Sequence, residues 1–354
     1  MRYVDVGTVK KVSKIGLGTH QFGSAAWDYG DRYEQEARVI VRRALELGVT
    51  LFDTAEIYGF EAHRIARRAL VEGVALSDVA KIRGFGRGER ILGQALGDKR
   101  EPAFLATKFY PTAPAASAAE QRAVASANRL GTRRIDLYQV HQPRHLVPGG
   151  AIMRGAQALR QAGLISEVGV SNASLERWQA AEEALGSRVL SNQVNYSLVS
   201  RFAERDLLPF AESHGRLIIA YRPLALGLLS GEYHRANRPA NPIRRASPLF
   251  LPQNLERVSN LIRTLREIAD AHSAVPAQIA LAWVIRHPAV AAIPGASSVE
   301  QLESNAAAAD IELTDDEYDA LQVASDQFYP VPGPASTSRR IRAVLGSRQP
   351  TDRN

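Results

Sequence analysis

The chain has 354 residues, 45% of them hydrophobic, with no cysteine and a formal net charge of +7. Without cysteine there is no disulfide framework, thiolate metal site or cysteine nucleophile, which suits a reducing cytoplasm. No apolar run reaches the roughly eighteen residues that span a bilayer, and the opening Met1-Arg2-Tyr3-Val4-Asp5-Val6 has no apolar signal region. The positive charge raises nucleic acid as a partner, but no reader motif accompanies it. Much of the charge falls on Arg339, Arg340, Arg342, Arg348 and Arg353, among Pro, Ser and Gly, the composition of a solvated tail over 331–354.

Residues 1–18 alternate short apolar stretches with Gly7 and Lys10-Lys11, which predicts a hairpin and then a first strand. Over 34–47, Ala37, Ile40, Val41, Ala44 and Leu45 recur at helical spacing, and Gly48 stops the helix. A second strand is expected at 50–53. Further apolar runs at 104–107, 135–140, 167–170, 190–194, 217–221 and 289–293 alternate with amphipathic stretches at 120–130, 175–185 and 255–271. Such alternation predicts parallel strands with outer helices, because a parallel crossover needs a helix-length connection. At this length a single (β/α)8 barrel over 1–330, hairpin on its floor, is the economical fold. The segment 226–254, rich in Pro, Asn and Arg, is too long for an ordinary connection and is either a lid over the substrate or a surface loop.

Three of the runs deliver an ionisable residue at the same end. They are Phe52-Asp53-Thr54-Ala55-Glu56-Ile57-Tyr58, Ala106-Thr107-Lys108 and Tyr138-Gln139-Val140-His141. Strand ends of a barrel converge on one pocket, so Asp53, Tyr58, Lys108 and His141 are expected together. Singly, each has a structural reading as cap, loop acceptor or packed histidine; jointly they read as a site.

With these stand Lys14-Ile15-Gly16-Leu17-Gly18, Gly169-Val170-Ser171-Asn172, Gln193-Val194-Asn195, Ala220-Tyr221-Arg222-Pro223-Leu224, Ile293-Pro294-Gly295-Ala296 and Glu312-Leu313-Thr314-Asp315-Asp316-Glu317. The ordered set resembles the aldo-keto reductase family over nearly the whole chain. The resemblance implies a TIM barrel that reduces a small aldehyde or ketone with NADPH, NADH being possible, and no nucleic-acid or membrane partner. It makes Tyr58 the proton donor, with Lys108 and Asp53 tuning it and His141 orienting the carbonyl.

The same resemblance places the cofactor on Gly18, Thr19, Asp53, Ser171, Asn172, Gln193, Tyr221, Arg222, Leu224, Gly295, Ser297, Gln301 and Asn305. Ser171, Asn172 and Gln193 would meet the nicotinamide carboxamide, and Tyr221 its ring. Arg222 stands where relatives commonly carry a small residue; it either reaches the pyrophosphate or points outward. Ser298 stands where many NADPH-preferring relatives have a basic residue. No metal set is expected; Trp27 and Tyr110 are candidates for the substrate opening. One departure from the pattern is the insertion 61–84 after Tyr58, in which 62–71 reads as a basic amphipathic helix with Arg64, Arg67 and Arg68. Beginning close to Tyr58, the insertion either covers the pocket, shifts Tyr58 or projects from the surface; if it suppresses turnover, the alternative is an NADP(H)-binding regulatory or interaction protein.

Overall fold

The computed structural model describes residues 1–23, 33–59, 86–111, 116–142 and 150–332. An antiparallel pair, β1 (Tyr3–Val4) and β2 (Val12–Ser13), opens the chain. Eight parallel strands follow: β3 (Leu17–Gly18), β4 (Leu51–Asp53), β5 (Phe104–Phe109), β6 (Ile135–Val140), β7 (Ile165–Ser171), β8 (Ser191–Asn195), β9 (Leu217–Tyr221) and β10 (Val290–Ala292). They pair in chain order, and backbone bonds close the ring. The Ala292 N–H donates to the Lys14 carbonyl at 2.8 Å, Gly16 to Ala292 at 2.8 Å, and Gly18 to Pro294 at 3.0 Å. Closure this tight needs glycine at the seam: a β-carbon on Gly18 would lie 2.7 Å from the Ile293 carbonyl oxygen. This is the (β/α)8 barrel predicted from the alternation.

Period-two alternation decides what the barrel holds. Leu51, Phe104, Ala106, Leu137, Leu190, Leu217, Ile219, Ala291 and Ile293 form one inner cluster, joined by Val4, Val6 and Val12 of the hairpin segment. The hairpin therefore closes the floor, as expected. One step further along, the same inward faces turn polar: Asp53 after Leu51, Lys108 after Ala106, Gln139 after Leu137, and Gln193 and Tyr221 on β8 and β9. The apolar floor and polar mouth come from one alternating pattern.

The outer layer includes Tyr33–Glu46, Arg87–Leu96, Ala116–Leu130 and Leu175–Leu185, whose apolar faces join the larger core cluster. Ser174 caps the last of these and Gly186, at φ 70°, ends it. The stretch expected as one helix over 255–271 is two, Pro252–Arg257 and Ser259–Ala271. The long connection after β9 is not structureless. It contains the helices Ala225–Ser230, Pro242–Ala246 and Pro248–Phe250, each a few residues long. Phe250 is fully buried with its ring edge-on to Tyr233 at 5.3 Å, so it packs the connection and does not line the mouth. Val331 is pinned by two hydrogen bonds to Asn254, which holds the first residue of the expected tail against the body. No single described helix is long and apolar enough to cross a membrane. Residues 61–84, Trp27 and 333–354 lie outside the described residues.

Candidate active site

The site is built around a buried ion pair. The Lys108 ammonium donates to Asp53 Oδ1 at 2.6 Å and to the Thr54 carbonyl at 2.7 Å, and both charged side chains are 1% exposed. Asp53 Oδ2 accepts from Gln193 Nε2 at 2.7 Å and from Gln139 Nε2 at 3.5 Å. A carboxylate is acceptor-only, so it fixes which way each amide faces. Removing two charges from water is costly, and the pair is tolerated because nearly every lone pair and proton is used. Burial alone would depress the Lys108 pKa, but Asp53 and Tyr58 act against it and the net shift is upward, keeping the ammonium charged.

Tyr58 is half-buried beside this pair, with Lys108 Nζ 5.0 Å from the centre of its ring. Burial pushes its phenol pKa up, the Lys108 charge pulls it down, and the balance lies above the ordinary value. Burial outweighs the Lys108 charge here. A phenol held up in this way is protonated at neutral pH, the form a proton donor requires. His141 lies beyond the ring, centroid 6.1 Å away and nearly perpendicular. Its surroundings and the nearby Lys108 charge lower its pKa to about 3, so it is neutral, and its buried Nδ1 has no hydrogen-bond partner. A neutral imidazole offers one donor and one acceptor. Tyr110 is edge-on to His141 at 6.5 Å.

Tyr58 and the chain that resumes at Gly86 are tied together, since the Gly86 N–H donates to the Glu56 carbonyl at 2.6 Å and the Gly88 N–H to the Tyr58 carbonyl at 3.1 Å. Behind it, the Glu56 carboxylate accepts from the Tyr110 N–H and from Arg122, both at 2.7 Å, which anchors the β4 exit loop to the β5 exit loop.

A second group of polar residues rims the β7 to β9 side. Ser171 Oγ donates to the Gln193 carbonyl at 3.0 Å, Asn172 Nδ2 donates to Ser171 Oγ at 2.9 Å, and the Tyr221 hydroxyl donates to Asn172 Oδ1 at 2.8 Å. Asn172 holds φ 57°, a left-handed conformation asparagine tolerates. Arg222, also left-handed at φ 52°, is exposed with its guanidinium 5.9 Å from the Tyr221 ring centre. Leu224 is half-buried, its carbonyl accepting from Gly227 at 2.8 Å. Gln193 is shared between this rim and Asp53, which sequence alone did not suggest.

Across the mouth, Thr19 donates to the Asp53 carbonyl through both its N–H and its hydroxyl, each at 2.9 Å, and is fully buried. Gly295 packs against Gln21, and its carbonyl accepts from Asn305 at 3.3 Å. Gln301 Oε1 accepts from the Ser297 N–H at 2.9 Å and from its hydroxyl at 2.8 Å. The Ser297 N–H is thus used within the loop. Sequence reasoning missed Gln139 and His20. His20 follows Thr19 just past β3 and is exposed, its ring edge-on to Tyr58 at 4.8 Å. The strand-end rule that found the other ionisable residues finds His20 when applied to the first strand.

The Aldo/keto reductase family model matches residues 14–326. The chain is 51% identical over 332 residues to the uncharacterized oxidoreductase Rv2298 of Mycobacterium tuberculosis strain H37Rv, covering 94% of this chain and 95% of that one. It is 33% identical over 251 residues to methylglyoxal reductase YeaE of Escherichia coli K12, covering 70% and 77%. Among solved structures, an aldo/keto reductase from Klebsiella pneumoniae in complex with NADP and acetate is similar at 30% identity and TM-score 0.65, covering 91% and 93%.

Proposed function

Because the chain belongs to the aldo/keto reductase family, we propose that it reduces a small aldehyde or ketone to the alcohol, with Tyr58 donating the proton to the carbonyl oxygen. The observation that carries this reading is the charged, buried Lys108, pinned by Asp53 and set 5.0 Å from the centre of a protonated Tyr58 ring. NADPH, or NADH, supplies the hydride when bound. The residues fit such a group: Ser171, Asn172 and Gln193 bring amide and hydroxyl groups to adjoining strand ends, as a carboxamide needs. Tyr221 offers a flat ring fixed by its hydroxyl bond, and Arg222 a guanidinium for the pyrophosphate. Gly18, Thr19 and Leu224 line the nicotinamide side, while Gly295, Ser297, Gln301 and Asn305 form the adenosine end.

Tyr58 and His141 hold the substrate oxygen, with Tyr110 edge-on to His141. As negative charge develops on that oxygen, Tyr58 transfers its proton and the Lys108 ammonium stabilises the phenolate left behind. Asp53 keeps the ammonium in place, with Gln139 and Gln193 holding the far carboxylate oxygen. Solvent then reprotonates Tyr58. The rival reading, a cofactor-binding regulator with little turnover, was motivated by the insertion 61–84; the contact of Tyr58 with Lys108 supports turnover over a displaced acid. Purified protein is mixed with NADPH and a panel of aldehydes that includes methylglyoxal, the substrate in a relative's name. Loss of reduced-nicotinamide absorbance is the expected result, and NADPH binding without turnover of any carbonyl would return the regulatory reading.

A further inference from the structure

Glu56 is fully buried between the chain that leads to Tyr58 and the strand that carries Lys108. In a parallel ladder a residue's N–H donates to one residue of the neighbouring strand, and its carbonyl accepts from the residue two further on. Past the end of β4 the chain keeps the first half of that pattern with β5. The Thr54 N–H donates to the Ala106 carbonyl at 2.9 Å and the Glu56 N–H to the Lys108 carbonyl at 3.1 Å. The next rung would bring the Tyr110 N–H to the Glu56 carbonyl. That carbonyl instead accepts from the Gly86 N–H at 2.6 Å, and the Tyr110 N–H donates to Glu56 Oε1 at 2.7 Å. The side chain thus replaces its own backbone in the ladder, which lets the chain leave the sheet without losing the rung.

The turn that follows carries Tyr58. Its N–H donates to the Ala55 carbonyl at 3.0 Å, so Glu56 and Ile57 form the bend. Arg122, from the helix Ala116–Leu130, donates to the same Oε1 at 2.7 Å and holds the side chain in place. Burial pushes the Glu56 carboxyl pKa up, while Arg122 and the Tyr110 N–H act against it; an acceptor oxygen serves the rung in either protonation state. Resting on the reductase reading above, we propose that Glu56 is a positioning residue for proton transfer: by standing in for a strand carbonyl, it sets the Tyr58 phenol against the Lys108 ammonium. With its side chain 1% exposed, it acts through Tyr58 and meets no substrate. The requirement is for an acceptor at that reach and not for a charge.

Two variants separate reach from charge. Glu56→Gln keeps an acceptor oxygen at the same reach and loses the charge, whereas Glu56→Asp keeps the charge and, one methylene shorter, withdraws the acceptor from the Tyr110 N–H. With the carbonyl that the parent reduces fastest, kcat should fall about tenfold or more in Glu56→Asp, because small misplacements of a reacting group are costly. Glu56→Gln should stay within about threefold of the parent, with KM and NADPH affinity held in both variants. Placing Glu56→Asp in a Tyr58→Phe background supplies a readout that a merely structural residue would not move. There the loss should nearly vanish, because the phenol being positioned is gone. Equal kcat in the two single variants, a larger fall in Glu56→Gln, or an undiminished loss in the Tyr58→Phe background would overturn the assignment. Failure of either variant to fold would overturn it too, making Glu56 a residue that the barrel itself requires. A parent that reduces no carbonyl would instead remove the reductase reading on which the proposal rests.

Discussion

Gly88 sits so close to Tyr58 that a β-carbon on it would lie 2.9 Å from Tyr58 Cβ, closer than side chains pack. Gly88 is in the first turn of the helix Arg87–Leu96, and its N–H donates to the Tyr58 carbonyl. Helix propensity alone favours alanine there by up to about 1 kcal/mol. The close contact acts the other way and falls on the residue that would donate the proton. Gly88→Ala is therefore expected to remain folded, with melting temperature near the parent's, while kcat falls by roughly tenfold or more, since misplacement of about 1 Å is costly in rate. NADPH affinity, measured by fluorescence titration, should stay within about twofold. Full activity in this variant would mean that Tyr58 moves freely against the helix.

Tyr58→Phe removes one oxygen atom and leaves the ring that contacts Lys108 and both imidazoles. A positioned general acid contributes roughly 10² to 10⁴ in rate. kcat/KM for carbonyl reduction should fall by that range with NADPH binding retained. A variant as active as the parent would take Tyr58 out of the mechanism.

The Asp53–Lys108 pair makes a separate prediction about stability. With both partners 1% exposed, Asp53→Asn leaves an ammonium without its counter-charge and sets an amide N–H against the Gln193 donor or the ammonium. Breaking a buried pair from one side costs about 3–5 kcal/mol. Lys108→Met costs a comparable amount by stranding the carboxylate. The double variant Asp53→Asn, Lys108→Met should recover a large part of that loss in urea unfolding while remaining inactive. Additive losses in the double variant would show that the pair is not coupled.

The barrel and the convergence of Asp53, Tyr58, Lys108 and His141 were legible because the apolar runs that make the strands each deliver a polar residue at the same end. In β5 and β6 the residue that continues the inward face past the apolar floor is Lys108 or His141, which is why the two strand ends meet in one mouth. The hydrogen-bond partners were not legible. That Gln193 donates to Asp53, or that Gln301 uses the Ser297 N–H, depends on side-chain torsions at the mouth, where several acceptors compete for each amide. The direction of the Tyr58 shift was not legible either. Sequence shows a nearby lysine, but how far burial offsets its charge is set by the packed loops around β4 and β5. Short helices in the connection after β9 were hidden by Pro and Asn, which end most helices but serve as first-turn residue and cap at Asn241-Pro242.

His141 links the site to acid stability. Its folded pKa, about 3, lies below the ordinary 6.5 because the ring is hemmed in by protein and faces the Lys108 charge. Between those values the unfolded chain binds a proton that the folded chain does not, so stability is present above the ordinary value and is lost as pH falls through the window. His20, lowered in the same sense, acts in the same direction but is exposed, so its share is smaller. Urea unfolding of the parent should therefore show stability declining from near-neutral pH toward pH 3. His141→Phe has no such proton to gain and should decline less steeply over the same window, with a residual slope left by His20 and the carboxylates. Parallel pH profiles for the two proteins would mean that His141 accepts its proton in the folded barrel as readily as in the unfolded chain.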